Sequence, residues 1–140
     1  MLSHRSEHTI RFGDVDQAGI VYYPRLVDFF HVAMEEFFQR GVGIDYAQLI
    51  VRQRFGFPAV HLDVDFVAPV RYGERIEIET GVERIGESSL SFRFVVTLKD
   101  EPDPVAVGRV VTVSMNLDTY RKTQVPEWLR ARLEGRDTAS

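Results

Sequence analysis

The spacing of apolar residues changes period twice along this chain, marking a strand, one long helix and then a run of strands. Over residues 8–12 the period is two, with Ile10 and Phe12 on one side and Thr9 and Arg11 on the other, which predicts a short strand. From residue 23 to residue 40 the period becomes helical. Leu26, Phe30, Ala33, Met34 and Phe37 share one face, Val27, Phe29 and Phe38 widen it, and Arg25, Asp28, Glu35 and Gln39 lie opposite. Pro24 suits a first helical turn, because its fixed φ is pre-set and no N–H is needed there; Gly41 and Gly43 mark the stop. The apolar stripe is wider than a surface helix requires, so something is expected to wrap around it.

After a short helix at residues 45–51 the period returns to two. Residues 57–67 form a mostly apolar run closed by Pro69 and the turn Arg71-Tyr72-Gly73. Ile76, Ile78, Thr80 and Val82 alternate with Glu77, Glu79, Gly81 and Glu83. Leu90, Phe92, Phe94, Val96 and Leu98 repeat the pattern, as do Val105, Val107, Val111, Val113, Met115 and Leu117, with Arg109 interrupting. Turns are expected at residues 86–88 and 101–104. Trp128 falls in a C-terminal helical turn, and residues 135–140 are expected to fray. Several antiparallel strands must share a single helix, so the fold class is α+β, with a curved sheet wrapped around the helix in one domain spanning residues 1–140.

Bulk properties narrow the function. The 140 residues suffice for one core without staples, and with no cysteine there is no disulfide frame, thiol nucleophile or Cys-based zinc site. A net charge of -4 argues against a nucleic-acid partner. Apolar runs are far too short to span a bilayer, and the N-terminus carries no secretory signal pattern. A soluble cytoplasmic protein is the expectation.

Candidate chemistry sits between the first strand and the helix. A helix N-terminus offers free N–H groups and partial positive charge, suited to a developing oxyanion. Asp16 lies a few residues upstream, where a carboxylate can approach the same carbonyl from another side. Taken alone, an Asp in a Gly-rich turn is more often a turn former or cap. Its surroundings reverse that weighting. The segment Phe12-Gly13-Asp14-Val15-Asp16-Gln17-Ala18-Gly19-Ile20-Val21-Tyr22-Tyr23-Pro24 resembles the signature of the 4-hydroxybenzoyl-CoA thioesterase family within the hot-dog superfamily, and that of its sister group, the Tol-Pal-associated acyl-CoA thioesterases. Phe66-Val67-Ala68-Pro69-Val70-Arg71-Tyr72-Gly73-Glu74 resembles the family's strand–Pro–turn segment, and the order of elements agrees throughout.

The resemblance implies a hot-dog fold and an acyl-CoA thioesterase that hydrolyses a small aroyl- or acyl-CoA to the free acid and coenzyme A. It places the catalytic carboxylate on Asp16, the carbonyl-polarising backbone N–H on Tyr23 and the close-approach glycine on Gly19. Thioesters need less help than amides, because a thiolate is a stable leaving group. One carboxylate with one oxyanion donor can therefore suffice, Asp16 acting as nucleophile or as general base. Asp14 is expected to shape the loop. Tyr22 serves equally well as pocket wall or as core. His31, at the edge of the apolar stripe, falls where the 4-hydroxybenzoyl enzymes carry an Asp near the phenolic end of their substrate, a departure that weakens the case for that substrate. Gln17 replaces a frequent proline. The turn Arg84-Ile85-Gly86-Glu87-Ser88-Ser89 lacks the family's consecutive basic residues, leaving Arg71, Arg84 and Arg121 as candidate partners for the coenzyme A phosphates.

His61, Asp63 and Asp65 share one strand face but have no further ligands in view, so no metal is expected, nor any cofactor beyond the coenzyme A of the substrate. The resemblance also implies a homodimer, with tetramers common, whose active site lies between protomers. Two alternatives stand beside the hydrolase. One is a non-catalytic acyl-CoA-binding module of the same fold. The other is an enoyl-CoA hydratase-like enzyme, disfavoured because no histidine follows Asp16 over residues 17–21.

Overall fold

The computed structural model describes residues 1–136. In chain order the elements are β1 (Ser3–Thr9), a 3-10 turn (Phe12–Asp14), α1 (Tyr23–Glu36) continuing into a π-helical turn (Phe37–Val42), α2 (Tyr46–Val51), β2 (Phe55–Gly56), β3 (Ala59–Phe66), β4 (Arg75–Ile85), β5 (Ser89–Leu98), β6 (Pro104–Val113), β7 (Met115–Asn116), β8 (Arg121–Lys122) and α3 (Glu127–Leu133). Five strands form an antiparallel sheet in the order β1-β4-β5-β6-β3, and β2-β7-β8 make a small second sheet.

The sheet curls around α1, as the width of the helix's apolar stripe predicts. Leu26, Phe30, Ala33, Met34, Phe37 and Phe38 are all buried. Phe30 stacks on Phe94 of β5 with centroids 4.7 Å apart, and Phe37 and Phe38 meet Phe92 edge-on at 6.2 and 6.0 Å. The inward residues of β4 and β5 follow the expected alternation, with Ile76, Ile78, Thr80, Val82, Leu90, Phe92, Phe94 and Val96 buried. The α-helical part of α1 ends at Glu36, before the expected residue 40, and a wider turn carries the chain to Gly43, whose φ of 83° closes it. That left-handed conformation is open to glycine at no steric cost.

Three expectations are corrected. The first strand runs over Ser3–Thr9 and not over residues 8–12. β1 is an edge strand held by backbone pairing to β4 and by cross-strand charges, Arg5 to Glu79 at 3.0 Å and Glu7 to Lys99 at 3.0 Å. It therefore shows almost no apolar alternation. At Ile10 the chain leaves the sheet; Ile10 is fully buried, whereas Phe12 is 77% exposed and opens the 3-10 turn. In β6 the parity is reversed. Ala106, Gly108 and Thr112 are buried while Val107, Val111 and Val113 are only partly so, because Gly108 lies beneath the Phe30 ring and fixes which side faces the helix. Lastly, Gly135 and Arg136 are ordered. The Gly135 N–H donates to the Arg132 carbonyl at 3.1 Å and the Arg136 N–H to that of Ala131 at 2.8 Å, with Gly135 at φ 74°, a Schellman closure of α3. Residues 137–140 of the expected frayed tail lie outside the described residues.

His8 contributes a pH dependence. Its Nε2 lies 2.8 Å from the Ser6 hydroxyl and its ring packs 5.4 Å from Phe29. Burial pushes its pKa down from 6.5, an effect that Glu36 and Glu7 only partly offset. The folded protein thus favours the neutral ring, while the unfolded chain binds a proton near pH 6.5. The stability contribution is full above that value and is lost as pH falls toward the lower folded pKa. Chemical denaturation between pH 7.5 and 5 should show a flatter decline for His8→Gln than for the wild type; parallel curves would remove His8 as a source.

Candidate active site

The loop between β1 and α1 is fixed by its own backbone. Asp16 donates its N–H to the Ile20 carbonyl at 3.0 Å and accepts the Gly19 N–H on its own carbonyl at 2.9 Å. Gly19 sits at φ 78°, so the tight turn requires it. Ile20 bridges to Arg71 and the Val21 N–H donates to the Val70 carbonyl at 2.8 Å, pinning the loop to the strand–Pro–turn segment. Asp14 has the loop-shaping role expected of it: its Oδ2 accepts the Arg11 N–H at 2.8 Å and its carbonyl accepts the Tyr22 N–H at 2.9 Å.

The Asp16 carboxylate combines the turn-former role with an available oxygen. Oδ1 accepts the Ala18 N–H at 2.8 Å, while Oδ2 has no hydrogen bond among the described residues. At the start of α1, the Tyr22 N–H is taken by Asp14, Pro24 has none, and the Arg25 N–H donates to the Tyr22 carbonyl at 2.8 Å. No side chain caps this end. The Tyr23 N–H is left without an acceptor among the described residues, a donor at the positive end of the helix dipole.

Asp16 and Tyr23 line one cleft of about 420 Å³, together with Leu26, Phe66, Pro69 and Ala106. Its walls are mostly apolar, so a carbonyl placed there would meet few polar groups besides the carboxylate and the free amide. A carboxylate and an N–H without an acceptor, on residues that line one apolar cleft, are the groups that attack on an acyl carbon and stabilisation of the resulting oxyanion call for.

The other candidates are distributed around this cleft. Tyr22 is exposed and lies against Tyr23, centroids 5.6 Å apart, outside the cleft's lining. Arg71 adjoins the motif loop through Ile20; its guanidinium makes no ion pair among the described residues, and its N–H donates to Glu74 Oε1 at 2.6 Å. Arg84 stands near the far end of β4, nine positions from Arg75, about 30 Å along an extended strand. Arg121 lies in β8 of the small sheet. Neither is part of the lining of this cleft.

His31 lines a second cleft of about 330 Å³ with Phe30, Met34, Tyr46, Leu62 and Val110. Its Nε2 pairs with Glu35 Oε1 at 3.0 Å, an exposed i,i+4 pair. Burial, with help from Glu35, pushes the Tyr46 phenol up to about 12, so it stays a neutral donor. His61 Nε2 pairs with Asp63 Oδ2 at 3.1 Å on the outer sheet face, where Arg109 is the register partner of Asp63.

Several residues around the clefts were not singled out as site residues in the sequence reading. Leu26 and Ala106 line the first cleft, yet periodicity marks a core leucine and a pocket leucine alike. Gly108 had a usable signal, since a lone glycine inside a strand of valines points to a close approach.

A family model described as the thioesterase-like superfamily matches residues 10–133. A 1,4-dihydroxy-2-naphthoyl-CoA hydrolase from Synechococcus elongatus is 30% identical over 131 residues, covering 93% of this chain and 94% of that protein. Among solved structures, an Asp-to-Asn variant of 4-hydroxybenzoyl-CoA thioesterase bound to 4-hydroxybenzoyl-CoA superposes with a TM-score of 0.85 at 25% identity, covering 94% of this chain and 98% of that one. A 1,4-dihydroxy-2-naphthoyl-CoA thioesterase from Synechocystis gives a TM-score of 0.84 at 20% identity, over 94% and 95% of the two chains. With the hot-dog arrangement in place and nearly the whole chain matched, this protein belongs to the thioesterase-like superfamily.

Proposed function

We propose that the protein hydrolyses the thioester of a small aroyl- or acyl-CoA, with Asp16 as the catalytic carboxylate and the Tyr23 N–H as the oxyanion donor. The observation that carries this is the pairing, on one apolar cleft, of a carboxylate with one oxygen free and a helix-start amide without an acceptor. Attack on the acyl carbon, by Asp16 itself or by a water it deprotonates, pushes the carbonyl electrons onto an oxygen facing the amide. Collapse breaks the C–S bond and releases coenzyme A thiolate. On the direct path water then cleaves the acyl–Asp16 anhydride; on either path water supplies the acid's oxygen and one proton, while its other proton passes to the thiolate or solvent. Gly19 holds the carboxylate loop in its turn. Arg71, bridged to the loop through Ile20, takes the phosphate-facing role. Aromatic acyl groups fit best with Tyr23 and Phe66 in the walls and with the names of the relatives. A cytoplasmic reaction is part of the proposal; among the described residues no helix is long and apolar enough to cross a membrane.

The test is a panel of benzoyl-, phenylacetyl- and alkyl-CoA thioesters with a thiol-trapping dye. Release of coenzyme A from at least one, at a rate proportional to protein, is expected. Tight binding without release would instead identify a non-catalytic binder.

A homodimer belongs to the same proposal. Among the described residues β3 is paired only on its β6 side, and Val60, Leu62, Phe66 and Val67 are 45–66% exposed. An open apolar edge of this kind is a template for a second copy. The cleft wall contributed by Phe66 and Val67 would then lie at the subunit boundary. In light scattering the wild type should show twice the chain mass of 16.1 kDa. Val60→Glu combined with Leu62→Glu should shift it to the monomer. An unchanged mass would place the interface elsewhere.

A further inference from the structure

The two clefts are neighbouring parts of one groove between α1 and the β6–β3 edge. The helix-facing residues of β6 run Ala106, Gly108, Val110 and Thr112, and their register partners on β3 are Phe66, Val64, Leu62 and Ala59. Ala106 and Phe66 line the first cleft, whereas Val110, Thr112, Leu62 and Ala59 line the second. Between them stands the Gly108–Val64 pair, and over it lies Phe30. A Cβ at Gly108 would fall 2.4 Å from Phe30 Cε2 and 2.7 Å from Cζ, so the ring occupies the space a side chain there would need. Stacking on Phe94 at 4.7 Å holds the ring in that place.

We propose that Phe30, seated on Gly108, is the depth stop of the acyl cleft and thereby sets the longest acyl group accepted, the second cleft being an extension that the ring closes off. This rests on the thioesterase reading. From Ala106 to Gly108 the strand advances two residues, about 7 Å, the room for one aromatic ring or a short chain. From Ala106 to Thr112 it advances six, roughly 20 Å, enough for a medium-length alkyl chain. The second cleft is itself lined by Met34, Leu62 and Val110, so an alkyl tail entering it would be buried. Removing the ring should join the two spaces.

The experiment compares wild type, Phe30→Leu and Phe30→Ala using decanoyl-CoA and benzoyl-CoA. The ratio of kcat/KM for decanoyl over benzoyl should rise about tenfold or more in Phe30→Ala, and less in Phe30→Leu, since burying several further methylenes is worth at least that much discrimination. A loss of folded protein scales both substrates alike and leaves the ratio unmoved. In parallel, calorimetry with the non-hydrolysable thioethers S-decyl- and S-benzyl-coenzyme A reads the same ratio as affinities, independently of catalysis. A higher ratio in either assay supports the depth stop. An unmoved ratio in both, or a wild type that already favours decanoyl over benzoyl tenfold, overturns it. If the wild type hydrolyses nothing while Phe30→Ala still gains decyl over benzyl affinity, the hydrolase reading fails and the depth stop stands. If neither protein binds either thioether, both are overturned.

Discussion

Replacing Asp16 by Asn should lower kcat for the preferred thioester by about 10²–10⁴-fold, the range expected when a positioned acid–base group is lost. The choice of Asn isolates the chemistry from the fold. Asp16 Oδ1 accepts the Ala18 N–H at 2.8 Å, and an Asn carbonyl can accept the same bond, so the turn that carries the residue is retained. What Asn removes is the negative charge and the nucleophilic or basic oxygen, which Oδ2 offers in the wild type. KM should change little, because the cleft walls from Leu26, Phe66 and Ala106 are untouched. The melting temperature should stay close to that of the wild type. Asp16→Ala, which also deletes the turn bond, should lose as much activity and some stability. Retention of more than about a tenth of wild-type kcat in Asp16→Asn would show that the carboxylate is not the reacting group, whatever the state of the fold.

The parts of this molecule that burial dictates were legible from the residues, and the parts that backbone pairing dictates were less so. The helix stripe of Leu26, Phe30, Ala33, Met34 and Phe37 and the inward positions of β4 and β5 follow from periodicity alone, because each residue there either meets the core or meets water. β1 was expected too late in the chain, at residues 8–12 instead of Ser3–Thr9, for the opposite reason. Its partners are Glu77 and Glu79 across a sheet edge, so backbone hydrogen bonds and cross-strand charges hold it, and neither leaves an apolar pattern. β6 was found but turned over, since valines on both faces make its period ambiguous and only Gly108 breaks the tie. At the candidate site, resemblance to a known signature pointed to Asp16 and Tyr23, which line one cleft, and to Gly19, whose φ of 78° makes the turn of the loop. The division of the groove by Phe30 was not, because it depends on two residues 78 positions apart in the chain meeting at a missing Cβ.

The largest stability loss is expected from Phe92→Ala. Phe92 is fully buried at the centre of β5, and three rings converge on it: Phe37 at 6.2 Å, Phe38 at 6.0 Å and Phe94 at 6.4 Å. Each is held by something else. Phe38 stacks on Phe57 at 5.4 Å, Phe94 on Phe30 at 4.7 Å, and Phe37 lies in the closing turn of the helix. The neighbours therefore have little freedom to collapse into the space a truncated side chain would leave, and the cost of the cavity adds to the lost transfer energy. Burying-to-Ala changes at such sites cost about 3–5 kcal/mol. For a chain of this size that corresponds to a fall in Tm of roughly 10–15 °C. The comparison should be made by calorimetry at one protein concentration, because any self-association shifts Tm by mass action. Phe92→Leu, which keeps most of the volume, should recover the greater part of the loss. A fall of under about 3 °C for Phe92→Ala would mean that the aromatic cluster relaxes freely. The rigidity that seats Phe30 against Gly108, and with it the separation of the two clefts, would then lack its physical basis.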